Sequence, residues 1–171
     1  RGQVVATIDL DLQGYDETRG RAFYRDLEER LQAHPAVSGV GLAALVPLSL
    51  SNTSSWVWPE GWESPLPTQP SVSHNVVNVG YFEAMGIPIV RGRGFTEQDT
   101  PDSDPVMIIN EQFADRFWPG EDPIGRDHPF GVGESFETDP LRGGRVAGVG
   151  LDPADPPVFH LHPHGTGAVA V

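Results

Sequence analysis

Three of the four tryptophans fall close together, at Trp56, Trp58 and Trp62, in a stretch rich in serine and proline that covers residues 48–70. Rigid indole rings anchor contacts at a small cost in conformational entropy, so the cluster is a candidate platform for a carbohydrate or a peptide. The alternative is structural: Trp56 and Trp58, two apart in a strand, would share a face and cover a small sheet, with Trp62 closing the loop. We favour the structural interpretation because buried tryptophan is the commoner outcome.

Three histidines alternate near the carboxyl end of the chain, at His160, His162 and His164. In a strand this spacing puts three imidazoles on one face, which would suit zinc. Three neighbours on one extended segment seldom close a tetrahedron, however, and Pro163 favours an edge strand or a loop. We therefore predict no metal ion here, and no cofactor in the chain.

A third group of candidate residues is the acidic loop at residues 96–105. A calcium loop of about twelve residues needs a central glycine and a terminal glutamate, and this spacing has neither. We predict a solvated acidic loop instead of a calcium site. Its carboxylates are Glu97, Asp99, Asp102 and Asp104.

Catalytic motifs are absent from the sequence. There is no serine in a Gly-x-Ser-x-Gly elbow and no His-Glu-x-x-His, and a phosphate-binding loop would need lysine, whereas all 11 basic residues are arginine. Without cysteine there is no thiol nucleophile, thiolate metal site or disulfide. The run Gly39-Val40-Gly41 lies inside a strand that follows a helix, which is the wrong place for a dinucleotide-binding turn. We predict that the chain is not an enzyme.

Composition restricts the class of protein further. The chain has 171 residues and a formal charge of −13, which repels the phosphates of nucleic acids and excludes DNA and RNA as expected partners. Twenty glycines and 17 prolines indicate many turns and short elements, which excludes a helical bundle. No apolar run of about 18 residues occurs, so this segment carries no spanning helix and no evident signal peptide.

The first third of the chain predicts a strand, a helix and a second strand. Residues 4–12 alternate between apolar and polar, the pattern of a half-buried strand. Asp16 is a good N-cap for a helix that ends near His34, before Pro35. Residues 37–46 alternate again, which completes a βαβ-like unit. The buried stripe of the helix is expected at Phe23, Leu27 and Leu31, with Tyr24 beside them.

Residues 73–126 are the densest part of the sequence. A β-rich run is followed by one helical turn at residues 81–85, which Gly86 closes because glycine readily adopts positive φ. Extension resumes at residues 87–90, and Phe95 fills the corner that follows. Asn110 is expected to cap a short helix over residues 111–118, with Phe113, Ala114 and Phe117 facing inward and Ile124 filling the turn beyond it.

This order of elements resembles the extracytoplasmic core domain of MacB-like (FtsX-type) ABC transporter permeases. The resemblance covers about fifty residues and is far more specific than a short motif. A run at residues 145–150 resembles a further strand of that family. The matching positions are Tyr81-Phe82, Ile87 and Ile89, Gly92-Arg93 with Phe95, Asp99, and residues 106–111, 113–118 and 119–125.

The resemblance implies an α+β fold of two small lobes. A porter-like βαβ lobe would cover residues 1–49, with residues 158–171 as its candidate completion, and a mixed α/β lobe inserted after it would cover residues 50–157. The family usually continues with a further strand, helix and strand where this chain stops. Two compact lobes that move as bodies need a hinge, which we place in residues 48–55 and 148–157.

The implied function is mechanical. Such a domain lies on the extracytoplasmic side of the cell membrane, periplasmic or extracellular, and transmits ATP-driven conformational change to substrate export or to a partner protein. The implied partners are its own transmembrane helices, a cytoplasmic ATPase subunit or domain, a second permease in a dimer, and an extracytoplasmic partner protein. The alternative is an extracytoplasmic carbohydrate- or peptide-binding module that uses Trp56, Trp58 and Trp62; solvent-facing indoles would favour it over buried ones.

Overall fold

The predicted α+β class is confirmed by the computed structural model, in which the described residues form short strands of one mixed sheet and three α-helices. The helices are α1 (Glu17–Gln32), α2 (Tyr81–Met85) and α3 (Glu111–Phe117). The division into two lobes stays a prediction. The structure describes residues 2–45, 53–57, 71–100, 103–128, 130–131, 144–150, 158–161 and 168–170.

Eleven strands lie within these described residues. In chain order they are β1 (Val5–Thr7), β2 (Gly41–Ala43), β3 (Thr53–Val57), β4 (Ser71–Val77), β5 (Ile89–Gly92), β6 (Val106–Asn110), β7 (Asp127–His128), β8 (Phe130–Gly131), β9 (Gly144–Gly150), β10 (Val158–Leu161) and β11 (Ala168–Ala170). Eight of them follow one another across the sheet in the order β1-β11-β2-β4-β10-β6-β9-β5. Of the other three, β3 pairs with β4 and β8, and β7 pairs with β9.

The first three strands of this order bring the two ends of the chain together. β11 pairs antiparallel with β1 on one side and with β2 on the other. β1 and β2 therefore run in the same direction with β11 between them, and α1 connects them. The predicted strand-helix-strand unit is present, split by a strand from more than a hundred residues further along the chain.

Both strands of this unit are shorter than predicted. β1 ends at Thr7, and Asp9 then bends the chain because its Oδ1 accepts a hydrogen bond from the Leu12 N–H (3.3 Å). Leu12 consequently falls in a 3-10 turn (Asp11–Gln13) and is 80% exposed, although the alternation placed it in the core. The local bond to the aspartate side chain competes successfully with the strand.

α1 forms as predicted. The Asp16 Oδ1 accepts a hydrogen bond from the Arg19 N–H (2.8 Å), so one of the free amides of the first turn is satisfied. Tyr24 is buried, and its hydroxyl donates to the Ile8 carbonyl (3.2 Å). The helix thereby covers Leu42 of β2 and Val40, which directly precedes the strand, with Phe23, Leu27 and Leu31 packed around them.

The opposite face of β2 is covered by α2, which comes very close to it. A Cβ added to Gly41 would lie 2.8 Å from the Cα of Tyr81, and one added to Gly80 would lie 2.3 Å from the Val40 carbonyl oxygen. Neither glycine can therefore be replaced by a residue with a side chain unless the neighbouring backbone shifts. Gly41, one of the two glycines that faintly suggested a nucleotide-binding turn, thus lies where a helix packs directly on strand backbone. α2 ends at Gly86, whose φ is 69°, as the sequence predicted.

The main core lies under the strands β6 and β9. Met107, Ile109, Val146 and Val149 point from these strands toward α3. Asn110 caps α3 by accepting a hydrogen bond from the Phe113 N–H (2.8 Å), which confirms the predicted cap. The helix buries its predicted residues Phe113, Ala114 and Phe117, while Phe95 is buried beside α2 with Phe82 and Ile108.

Candidate functional site

Most of the predicted tryptophan platform lies outside the described residues. The backbone of Trp56 is in β3, where it pairs with Ser71 and with Gly131. Trp58 and Trp62 are not among the residues that the structure describes. The choice between a binding platform and a structural cover therefore stays a prediction.

The three alternating histidines are also only partly described. His160 lies in β10, between Val76 of β4 and Met107 of β6, while His162 and His164 lie outside the described ranges. A second histidine, His74, is buried in β4, and this burial lowers its pKa and favours the neutral ring. Within the described part of the chain, no three side chains of histidine, cysteine, aspartate or glutamate are grouped so that they could hold a metal ion.

The acidic loop contains a structural ion pair that its composition did not indicate. Both oxygens of Asp99 accept from the guanidinium of Arg93 at 2.7 Å, and the carboxylate also accepts from the Thr96 N–H (2.7 Å) and hydroxyl (3.0 Å). The Asp99 side chain is only 8% exposed. The hydrogen bonds from Arg93 lower the pKa of Asp99, and those to Asp99 raise the pKa of Arg93. At Asp99, the prediction of a solvated loop was wrong.

We expect Asp99→Asn to lower the free energy of unfolding at pH 7 by about 1–2 kcal/mol, because it removes a carboxylate that accepts charge-assisted bonds. The pKa of Asp99 in the folded protein is below its ordinary value of 3.8. Its contribution is therefore complete above that value and is lost as the pH falls through the folded pKa. Urea unfolding at several pH values should show the difference between parent and variant shrinking below about pH 4. Asp104→Asn, at an exposed carboxylate of the same loop, is the control; an equal loss there would contradict the expectation.

The contact between β2 and β4 is maintained largely by the side chains of two asparagines. Asn75 is buried, and its amide binds both backbone groups of Leu45: Oδ1 accepts from the N–H (3.0 Å) and Nδ2 donates to the carbonyl (3.1 Å). The same Oδ1 accepts from the Val76 N–H (2.9 Å). One side chain thus replaces part of a strand ladder.

Asn78 makes the corresponding contact at the other end of this seam. Its Oδ1 accepts from the Leu42 N–H (2.8 Å), and its Nδ2 donates to Oε1 of Glu28 on α1 (2.9 Å). Burial raises the pKa of Glu28, and repulsion from Glu97 raises it further, whereas the bond from Asn78 lowers it. Sequence reasoning missed both asparagines. The available signal was their position, because each is a polar residue beside the apolar pair Val76-Val77 in a β-rich run.

An open cleft of about 450 Å³ lies where α3 meets the edge strand β5. Its lining is mostly polar and charged, and an ion pair between Arg126 and Glu121 lies beside it. Charges at such exposure are well screened, so this ion pair contributes little to stability. It is lined by Arg91, Ala114, Asp115, Trp118, Gly120, Glu121 and Asp122.

None of the helices in the described ranges is both long enough and apolar enough to cross a membrane.

Comparison with known proteins gives a family match over almost the whole chain. Residues 4–164 match the family described as MacB-like periplasmic core domain. No curated protein matches the chain significantly.

Solved structures share the fold at low sequence identity. The periplasmic region of MacB from Actinobacillus actinomycetemcomitans has a TM-score of 0.60 and 16% identity, over 86% of this chain and 63% of that one. The extracellular domain of the noncanonic ABC-type transporter YknZ from Gram-positive bacteria has the same TM-score and 14% identity, over 99% and 83%. A permease domain from Porphyromonas gingivalis has a TM-score of 0.53 and 12% identity, over 85% and 65%. The chain thus spans less than two thirds of the MacB region.

Proposed function

Because the chain belongs to the family of MacB-like periplasmic core domains, we propose that it is the extracytoplasmic domain of an ABC transporter permease that passes ATP-driven movement across the membrane. The movement would serve substrate export or a partner protein. The domain would lie on the periplasmic or extracellular side of the cell membrane and would carry no catalytic activity of its own.

One observation carries this proposal: the first and last described strands are neighbours. Val5 of β1 pairs with Ala170 of β11, so the first and last described strands meet at the same place in the sheet. A domain inserted between two membrane helices needs this geometry. A displacement of those helices would reach both strands together.

Rigidity is the second requirement, and the packing supports it. The strands β6 and β9 place five residue pairs in register. Their side chains that pack against α3 have almost no exposure; these are Met107, Ile109, Val146 and Val149. Such cores behave as solid bodies because interiors are close-packed. We propose that two bodies move. One is the porter-like lobe at residues 1–49 with β11 from the predicted completion at 158–171, and the other is the mixed lobe at residues 50–157 with β10, which pairs with β4 and β6.

The partners follow from the same role. The domain's own transmembrane helices would deliver the movement, and a cytoplasmic ATPase subunit or domain would drive it. A second permease in a dimer and an extracytoplasmic protein are the further partners that we propose.

The side of the membrane can be tested with one cysteine, since the chain has none of its own. We expect Gln98→Cys, at an exposed loop position, to react with a membrane-impermeant maleimide in spheroplasts that produce the intact permease. The parent protein is the control for background labelling. Labelling that requires lysis of the spheroplasts would contradict the proposed location.

Transmission is tested by hydrogen exchange in the intact permease, reconstituted with its ATPase. We expect exchange in β1 to differ between the nucleotide-free state and a state trapped with ATP and vanadate. A domain whose exchange is the same throughout in both states would not be transmitting, and the proposal would fail.

A further inference from the structure

The three strands β1, β11 and β2 are joined to the rest of the sheet at one seam. In the strand order, β2 has β11 on one side and β4 on the other. Its ladder with β4 consists of one registered pair, Ala43 with Val77, whereas β6 and β9 share five pairs. The seam is the shortest ladder along the main path of the described sheet.

At the residue pairs on either side of Ala43, an asparagine side chain accepts one of the two hydrogen bonds that a backbone carbonyl would accept in a regular ladder. In a regular antiparallel ladder, a hydrogen-bonded pair exchanges two backbone bonds. Leu42 and Asn78 make one such bond, from the Asn78 N–H to the Leu42 carbonyl (3.0 Å), while the Leu42 N–H donates to the Asn78 side chain. Ala44 donates to the Val76 carbonyl (2.8 Å), while the Val76 N–H donates to the Asn75 side chain.

Side-chain acceptors differ mechanically from backbone acceptors. An asparagine amide has two rotatable bonds between itself and the main chain, so it can follow a change in strand angle and keep its hydrogen bond. A backbone carbonyl is fixed by the strand to which it belongs. Leaving a buried amide without a hydrogen-bond partner costs free energy, so these bonds also limit how far the seam can open.

Besides the packing of α2 on β2, two polar side-chain contacts cross the seam outside the ladder. Glu28 of α1 binds the Asn78 amide and also accepts from Gln32 (3.2 Å), which ties the helix to the end of β4. On the opposite face, the Gln3 amide donates to the carbonyls of Ala84 (3.3 Å) and Met85 (3.2 Å) at the end of α2. Both contacts are made by flexible side chains and are partly or fully exposed.

From these observations we propose that the seam between β2 and β4 is the mechanical joint of the domain, with Asn75 and Asn78 as its pivots and the Glu28–Asn78 bond as its latch. The purpose of the joint rests on the proposed function. Its first test does not, because that test is made on the domain alone. The joint differs from the hinge predicted in residues 48–55 and 148–157, which lies largely outside the described residues.

The joint is tested first in the domain itself, by amide hydrogen exchange in Asn78→Ala. We expect exchange at Leu42 to rise about tenfold, while Ile108 and Val149 in the main core change by less than about twofold. A joint opens locally, so this contrast is the required signature. An equal increase at all three amides would make Asn78 an ordinary stabilising residue, and an unchanged Leu42 would show that Asn78 does not hold the seam; either result overturns the proposal.

If Asn78→Ala does not fold, Glu28→Ala provides the second test. This variant leaves the Asn78 acceptor in place and removes only the latch from a half-buried position on α1. We expect exchange at Leu42 to rise about threefold, again with Ile108 and Val149 unchanged. Glu29→Ala, one residue along the helix and exposed, is the matched control. Equal rates of amide exchange at Leu42 in Glu28→Ala and Glu29→Ala would contradict the proposed latch.

A disulfide across the seam connects the joint to function. Ala44→Cys/Val76→Cys links neighbouring positions of the seam, and Asp127→Cys/Arg145→Cys links a registered antiparallel pair within the other part of the sheet. In the reconstituted permease, we expect oxidation of the first pair to slow ATP hydrolysis at least about threefold, with recovery on reduction, and oxidation of the second to have no effect. Equal slowing by both pairs, or by neither, overturns the joint.

These experiments separate the two proposals. If ATP changes exchange in β1 and the seam disulfide has no effect, the joint is wrong and the proposed function stands. If ATP changes nothing in the domain, the proposed function fails, and the exchange experiment on the isolated domain still decides whether the seam opens locally.

Discussion

Replacing Phe113 by alanine is expected to lower the free energy of unfolding by about 3–5 kcal/mol, which is a large part of the 5–15 kcal/mol typical of a domain. The ring is 2% exposed, and its centre lies 4.5 Å from that of Phe117 and 6.0 Å from that of Trp118. Removing it leaves a cavity between α3 and the strands β6 and β9, which such short elements cannot close by shifting.

Urea unfolding followed by tryptophan fluorescence would measure this loss. Gln112→Ala is the matched control, since Gln112 precedes Phe113 on the same helix and is exposed. We expect that variant to remain within about 0.5 kcal/mol of the parent. A loss below about 1 kcal/mol for Phe113→Ala would mean that α3 does not pack on the sheet as described.

Gly80→Ala is expected to destabilise the domain by about 1–3 kcal/mol, because Gly80, the N-cap of α2, lies directly against other backbone. The added Cβ would lie 2.3 Å from the carbonyl oxygen of Val40, which is backbone of the buried strand segment and cannot rotate away. α2 must therefore move off β2. The backbone at Gly80, with φ of −77°, would itself accept alanine, so the cost does not come from backbone strain.

Gly94→Ala is the control, because it replaces glycine by alanine at a position without a close backbone contact. A Cβ there meets only the Ile89 side chain, at 4.0 Å, so we expect little change in stability. Thermal unfolding of both variants would provide the comparison. If Gly80→Ala were as stable as Gly94→Ala, the close approach of α2 to β2 would be wrong.

The elements specified by neighbouring residues could be predicted from the sequence. Asp16 and Asn110 indicate where α1 and α3 begin, and Gly86 indicates where α2 ends, because capping residues act within one helical turn. The length of β1 could not be predicted in this way. Its alternation continues to Leu12, and only the bond between the Asp9 side chain and Leu12 shows that the strand has already ended.

Contacts between distant residues were beyond the sequence pattern. Nothing in the composition of residues 168–170 shows that they lie between β1 and β2, because such pairing depends on the whole fold. The same holds for the candidate site. Asn75 and Asn78 were visible only as polar residues in a β-rich run, and Asp99 only as one acid among several, until their partners Leu45, Leu42 and Arg93 were located.

The antiparallel pairing of β1 with β11 determines which loads the domain can bear. Tension that separated the two chain ends would break the hydrogen bonds of this three-residue ladder one at a time, beginning at Val5 and Ala170, and little force would be needed. Thrust or twist applied to both ends at once leaves each bond unstretched. If membrane helices adjoin these two strands, as proposed, the domain is suited to being pushed and turned by them, and poorly suited to being pulled apart.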